Sequence, residues 1–87
     1  MAVKAAQVTV DTSADKLAES DIGGQQVIVR NAVGAAVFLG GTNAVTAGTG
    51  FELPVGGMID IILGQHEELW AICATSTRVD VLRFSAD

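Results

Sequence analysis

The chain has 87 residues, of which 49% are hydrophobic and 17% charged, with a formal net charge of −5. That length admits one compact domain and excludes two, and a domain this small hides only about 60% of its unfolded surface, so the apolar content exceeds what a single core can absorb and implies a subunit interface. The cations Lys4, Lys16, Arg30, Arg78 and Arg83 form no basic run, which, with the acidic balance, argues against nucleic acid and against an anionic membrane surface as partners.

Residues 1–6 carry no turn signal and no strong pattern, and are expected as a mobile N-terminal arm ahead of a first strand over Gln7 to Asp11. The opening MAVKAAQVTVD lacks the apolar block of a secretory signal. Thr12 to Asp21 is ambiguous between a turn of helix capped by Ser13 and a structured loop that tucks Leu17 inward. After Gly23-Gly24, β-branched residues recur with a period near two. They predict strands over Gln25 to Asn31, Ala35 to Leu39, Gly50 to Leu53, Met58 to Leu63, Glu67 to Ala74 and Thr77 to Phe84, with a further short one near Ala44 to Thr46. Glycine, proline, asparagine and serine punctuate the connections, and no helical pattern intervenes. The expected fold is all-β, a small antiparallel β-sandwich or barrel of about seven strands.

Asn31 to Phe51 contains no charged residue and is long enough to cross a membrane, but its many glycines and threonines make it too turn-rich for an apolar helix, and no membrane span is expected. Several strands are apolar on both faces. Met58 and Ile62 flank Asp60 opposite the Ile59, Ile61, Leu63 face, and Trp70 and Ile72 alternate with Leu69, Ala71 and Cys73. A two-layer domain has one interior, so Met58, Ile62, Trp70 and Ile72 are the candidate oligomer interface, the alternative being that Trp70 and Ile72 cap an open end of the same core. Asp60, a carboxylate on an apolar strand, must reach solvent or pair with a cation, and Arg30, Arg78 and Arg83 are the candidate partners for a structural ion pair.

Catalytic chemistry is thin. The chain has one His, one Cys and no Tyr, so no catalytic, cofactor-binding or metal site is expected. His66 falls in a Gly-Gln-His-Glu-Glu turn, where solvation is the expected state. Cys73 lies mid-strand as a small hydrophobe, cannot form an internal disulfide, and suits assembly in a reducing cytoplasm. Asp11, Asp15, Glu19 and Asp21 lack the ligand alternation of a calcium loop, and Gly40-Gly41-Thr42 lacks the Lys-Ser/Thr pair of a phosphate loop.

From Gln26 onward the order of short motifs is informative: Val27 to Asn31 (VIVRN), Val37 to Gly41 (VFLGG), Val45-Thr46, Gly50 to Leu53 (GFEL), Leu69 to Ile72 (LWAI) and Val79 to Val81 (VDV). In this order they resemble small virion proteins of tailed bacteriophages. The resemblance spans roughly the last two-thirds of the chain and departs from the pattern at Trp70, where tyrosine is usual. It implies a capsid decoration or cement protein, a homo-oligomer with a trimer favoured, bound to the phage major capsid protein on the virion surface after assembly in the host cytoplasm. The alternative in another class is a head-fibre or tail-associated module whose loops bind a host glycan or protein; Phe38, Phe51, Phe84 and Trp70 all sit in strand patterns and offer it no evident stacking platform.

Overall fold

The structure is a computed structural model that describes residues 2–20 and 24–85. Eight strands follow in chain order: β1 (Ala2–Val10), β2 (Asp15–Glu19), β3 (Gln25–Val33), β4 (Val37–Gly40), β5 (Phe51–Leu53), β6 (Met58–Leu63), β7 (Glu68–Cys73) and β8 (Thr77–Ser85). They form two four-stranded sheets, ordered β1-β8-β3-β6 (sheet A) and β2-β7-β4-β5 (sheet B), and every pairing is antiparallel. The pairs β1–β8, β2–β7, β3–β6 and β4–β5 are those of one long hairpin whose tip is β4–β5. Wrapping that hairpin so that alternate pairs fall in opposite layers gives a jelly roll. The expected all-β sandwich is what forms, with eight strands in place of seven.

Alternation sets the core. Val27 and Val29 of β3, Val79 and Val81 of β8 and Val10 of β1 face Val37 and Leu39 of β4, Leu69, Ala71 and Cys73 of β7, and Leu17 of β2. These are mainly β-branched and small residues, which fit a pleated surface and fill a thin two-layer interior.

Three segments differ from the sequence reading. Residues 2–6, expected as an arm, are the first half of β1 and continue the ladder to β8 in unbroken register; Val3 to Gln7 are exposed on both faces, so no hydrophobic alternation marks them as strand. Met1 lies outside the described residues. The ambiguous segment contains strand β2, and the pairing of β2 with β7 shifts register between Lys16 and Ala18. That bulge turns the consecutive Leu17 and Ala18 both into the core and so erases the period-two signal. Ser13 does not cap a helix; its amide donates to Asp11 Oδ1 at 3.0 Å, an Asx turn led by the aspartate. Asp21 and Gly23 lie outside the described residues. Ala44 to Thr46 is no strand but part of a run of turns, with Val45 N donating to Thr42 O at 3.3 Å and Gly50 N to Thr46 O at 2.8 Å. Val45 is buried there, and Gly50 must be glycine because a Cβ would lie 2.8 Å from Phe38 Cβ.

Asn31 closes the end of the sandwich. It is fully buried; its Nδ2 donates to Ala35 O at 2.9 Å and Leu53 O at 3.0 Å, and its backbone exchanges bonds with Gly56 and Gly57 of the β5–β6 turn. One side chain thus ties the ends of β3 and β5 to the lead-in of β4, which explains a strand that ends in asparagine.

Candidate interaction face of sheet A

The residues of sheet A that alternate with the core line up in three cross-strand rows on its outer face. These are Val3–Phe84–Gln26–Ile62, Ala5–Leu82–Ile28–Asp60 and Gln7–Asp80–Arg30–Met58. Two rows begin or end in large apolar side chains left in solvent: Val3 is 60% exposed, Met58 68% and Ile62 71%. Along the second and third rows runs a trough of about 470 Å³ bounded by Ala5, Gln7, Ile28, Arg30, Met58 and Leu82. Ala5 contributes little bulk, and the longer side chains around it form the walls.

Polar groups occupy the middle of this face and pair with one another, although Asp80 Oδ1 is buried without a hydrogen-bond partner among the described residues. Arg30 Nη2 bonds Asp80 Oδ2 at 2.8 Å, and Arg78 Nε stands 3.6 Å from Asp80 Oδ1. Asp60 instead takes two 3.0 Å bonds from Gln26 Nε2. The ion pair expected at Asp60 is therefore built on Asp80. Register decides it: Arg30 lies directly opposite Asp80, whereas Asp60 lies opposite Ile28 and reaches Gln26 on the diagonal. Arg83 falls in the inward phase of β8, beside Val27 in the ladder, away from Asp60's face.

Of the four candidate interface residues, the structure brings together Met58 and Ile62 on sheet A and places Trp70 and Ile72 on the outer face of sheet B, the opposite side of the domain. Trp70 and Ile72 are half-buried. Trp70 donates from Nε1 to Glu68 Oε1 at 2.9 Å under a Lys16 ammonium 5.9 Å from its ring, and Ile72 pairs with Phe38 across the ladder. Lys16 also lies 3.2 Å from Glu19. Sequence reasoning missed Val3, Phe84, Leu82 and Ile28, whose membership depends on β1 and β6 being sheet edges around β8 and β3.

His66 is exposed in a turn closed by Glu67 N to Gly64 O at 3.1 Å, with φ 63° at the third position. Its backbone N donates to Ser20 O at 2.7 Å, which pins the turn to the end of β2. Cys73 is enclosed, its sulfur 3.0 Å from Val10 O and beside Thr75 O, either of which can accept the one thiol proton. With one group in the core and the other in solvent, they make no nucleophile–base pair. Among the described residues no cluster of three His, Cys, Asp or Glu could hold a metal, and no helix is long and apolar enough to cross a membrane. Phe51, expected within a strand, is in β5 but 61% exposed, because that strand is a short sheet edge.

No protein-family profile and no curated protein matches the sequence. The fold is similar to a solved structure described as "Bacillus endospore appendages form a novel family of disulfide-linked pili", with a TM-score of 0.66 and 10% identity over 99% of this chain and 87% of that one. At that identity the likeness is one of fold.

Proposed function

We propose that this protein is a non-catalytic structural subunit that associates with copies of itself into a small ring, a trimer, and coats the outside of an assembled phage capsid. The observation that carries the reading is the set of bulky apolar side chains left in water along sheet A, Val3, Met58 and Ile62. Exposed apolar side chains gathered on one face mark an interaction surface. The order of motifs from Val27 to Val81, which resembles small tailed-phage virion proteins, supports the capsid as partner. The solved structure of similar fold is described as one of disulfide-linked pili. Disulfide linkage has no counterpart here, since the single cysteine, Cys73, is buried. Association rests on noncovalent contacts.

The activity is mechanical. A ligand that binds only the intact shell stabilises it by mass action, and a ring that grips several shell subunits at once gains effective concentration for each further contact. To test this, purified protein is titrated onto assembled tailed-phage capsids and onto host envelope fractions, and bound copies per particle are counted. Saturation on capsids at a symmetry-compatible number, with a raised shell-disruption temperature, is the expected result. Binding to envelope fractions alone overturns it in favour of a host-recognition module.

A further inference from the structure

We propose that copies of this chain join head to tail, the β6 edge of one copy pairing antiparallel with the β1 edge of the next, so that sheet A continues across the subunit boundary. The proposal rests on the self-association argued above and assigns it a surface. A sandwich has four sheet edges, and proteins that stay monomeric blunt theirs with short strands, bulges, prolines or covering segments. Sheet B follows that rule: β5 has three residues, and β2 has five with a register shift inside it. Sheet A does not. β1 keeps unbroken register with β8 over nine residues and β6 with β3 over six, and the chain's one proline, Pro54, lies in neither strand. Val3 to Gln7 are exposed, including Lys4 and Ala6 in the inward phase, so no described segment covers that half of β1.

Direction and register select the occupant. Four strands that alternate in direction leave β1 and β6 running opposite ways. A second copy set beside the first with the same face outward therefore offers β6 antiparallel to β1, as the ladder requires. Continuing the three rows across the boundary sets Val3 against Ile62, Ala5 against Asp60 and Gln7 against Met58 of the next copy, and Lys4 and Ala6 against its Ile61 and Ile59. No like charges meet, and two of the exposed apolar residues, Val3 and Ile62, cover each other. The contact uses each edge of sheet A once and leaves neither bare inside a closed ring, whereas two-fold β1–β1 or β6–β6 pairing leaves the other edge open.

The test uses Ala5→Cys and Asp60→Cys, both at exposed positions, in the full chain. Residues directly opposite in an antiparallel ladder have Cα atoms about 4.5–5.5 Å apart, within disulfide range. After mild oxidation of an equimolar mixture of the two variants, peptide mass spectrometry is expected to find an intermolecular disulfide between the two introduced thiols. A mixture of Thr9→Cys with Asp60→Cys is expected to lack the corresponding link. Hydrogen exchange of the unsubstituted protein provides a second measurement, with β1 and β6 amides gaining protection as concentration rises. An oligomer that persists with Ala5→Cys linking only to itself, or with β1 and β6 unprotected, overturns the head-to-tail pairing and leaves self-association standing. A chain that sediments as a monomer at every concentration overturns both.

Discussion

Replacing Asn31 by alanine tests whether one buried amide holds the end of the sandwich. The change removes both Nδ2 donors, leaving Leu53 O without its buried side-chain partner; Ala35 O keeps only a 3.5 Å approach from Thr77 Oγ1. Losing the buried hydrogen bonds to these carbonyls costs about 1–3 kcal/mol, and the lost amide volume adds a small cavity. Against this, the variant no longer buries Asn31 Oδ1, which has no partner among the described residues. The balance is about 2–3 kcal/mol, which at about 4–8 °C per kcal/mol for a domain of this size lowers Tm by about 10–20 °C. Asn31→Asp keeps the shape but sets one carboxylate oxygen, in the place of Nδ2, against two carbonyl oxygens, and costs more at neutral pH. Its penalty shrinks as pH falls through the carboxyl range, because the protonated acid regains one O–H donor; the folded form then binds the extra proton, so stability falls as pH rises. Urea unfolding at several protein concentrations separates these effects from association. An Asn31→Ala variant within about 1 kcal/mol of the parent would refute the role given to this residue.

Ile62→Asp and Met58→Asp are expected to leave monomer stability nearly unchanged, since both side chains already face solvent. Each should weaken self-association about five- to thirtyfold in sedimentation, from the loss of about 1–2 kcal/mol of apolar burial. Trp70→Asp, on the opposite sheet, should instead lower Tm and spare association, and the reverse pattern would place the interface on sheet B. Gly34→Ala should destabilise by about 1–3 kcal/mol in urea, because Gly34 adopts φ 119° and a Cβ there would meet Thr77 Oγ1 at 2.7 Å. Asp80→Asn should change stability by less than about 1 kcal/mol, since Arg30 and Arg78 are half-exposed partners, and a larger loss would show that the pair is better shielded than its geometry indicates. The Cys73 thiol should react with a disulfide reagent only at the rate of unfolding; prompt labelling under native conditions would contradict its burial.

The sandwich is legible in the sequence because strands β3, β6, β7 and β8 alternate over most of their length between short turns. What escapes is any strand whose neighbours, not its own residues, define it. β1 has solvent on both faces along Val3 to Gln7, so burial imprints no period on it. β2 hides its period behind a bulge. Composition registers the apolar excess, yet alternation within one strand cannot say which sheet the strand joins. Met58 and Trp70 look equivalent in sequence and lie on opposite sides of the molecule. Charge alone likewise matches Asp60 to a cation, whereas the ladder sets Arg30 against Asp80.

Where the apolar surplus settles bears on how copies meet. Packing two sheet A faces against each other would bury the Arg30–Asp80 pair and the Gln26–Asp60 bonds that occupy their centre. Desolvating those charges costs several kcal/mol per ion, which the surrounding Ile28, Leu82 and Met58 must then offset. Joining the sheets side by side leaves the charged centre in water and covers mainly Val3 and Ile62 at the rims, two of the positions where exposure is greatest. The two arrangements also respond differently to salt. A face-on dimer depends on the charged centre, while an edge-joined chain draws on backbone hydrogen bonds and rim burial, and its association should hold nearly constant between low and physiological ionic strength.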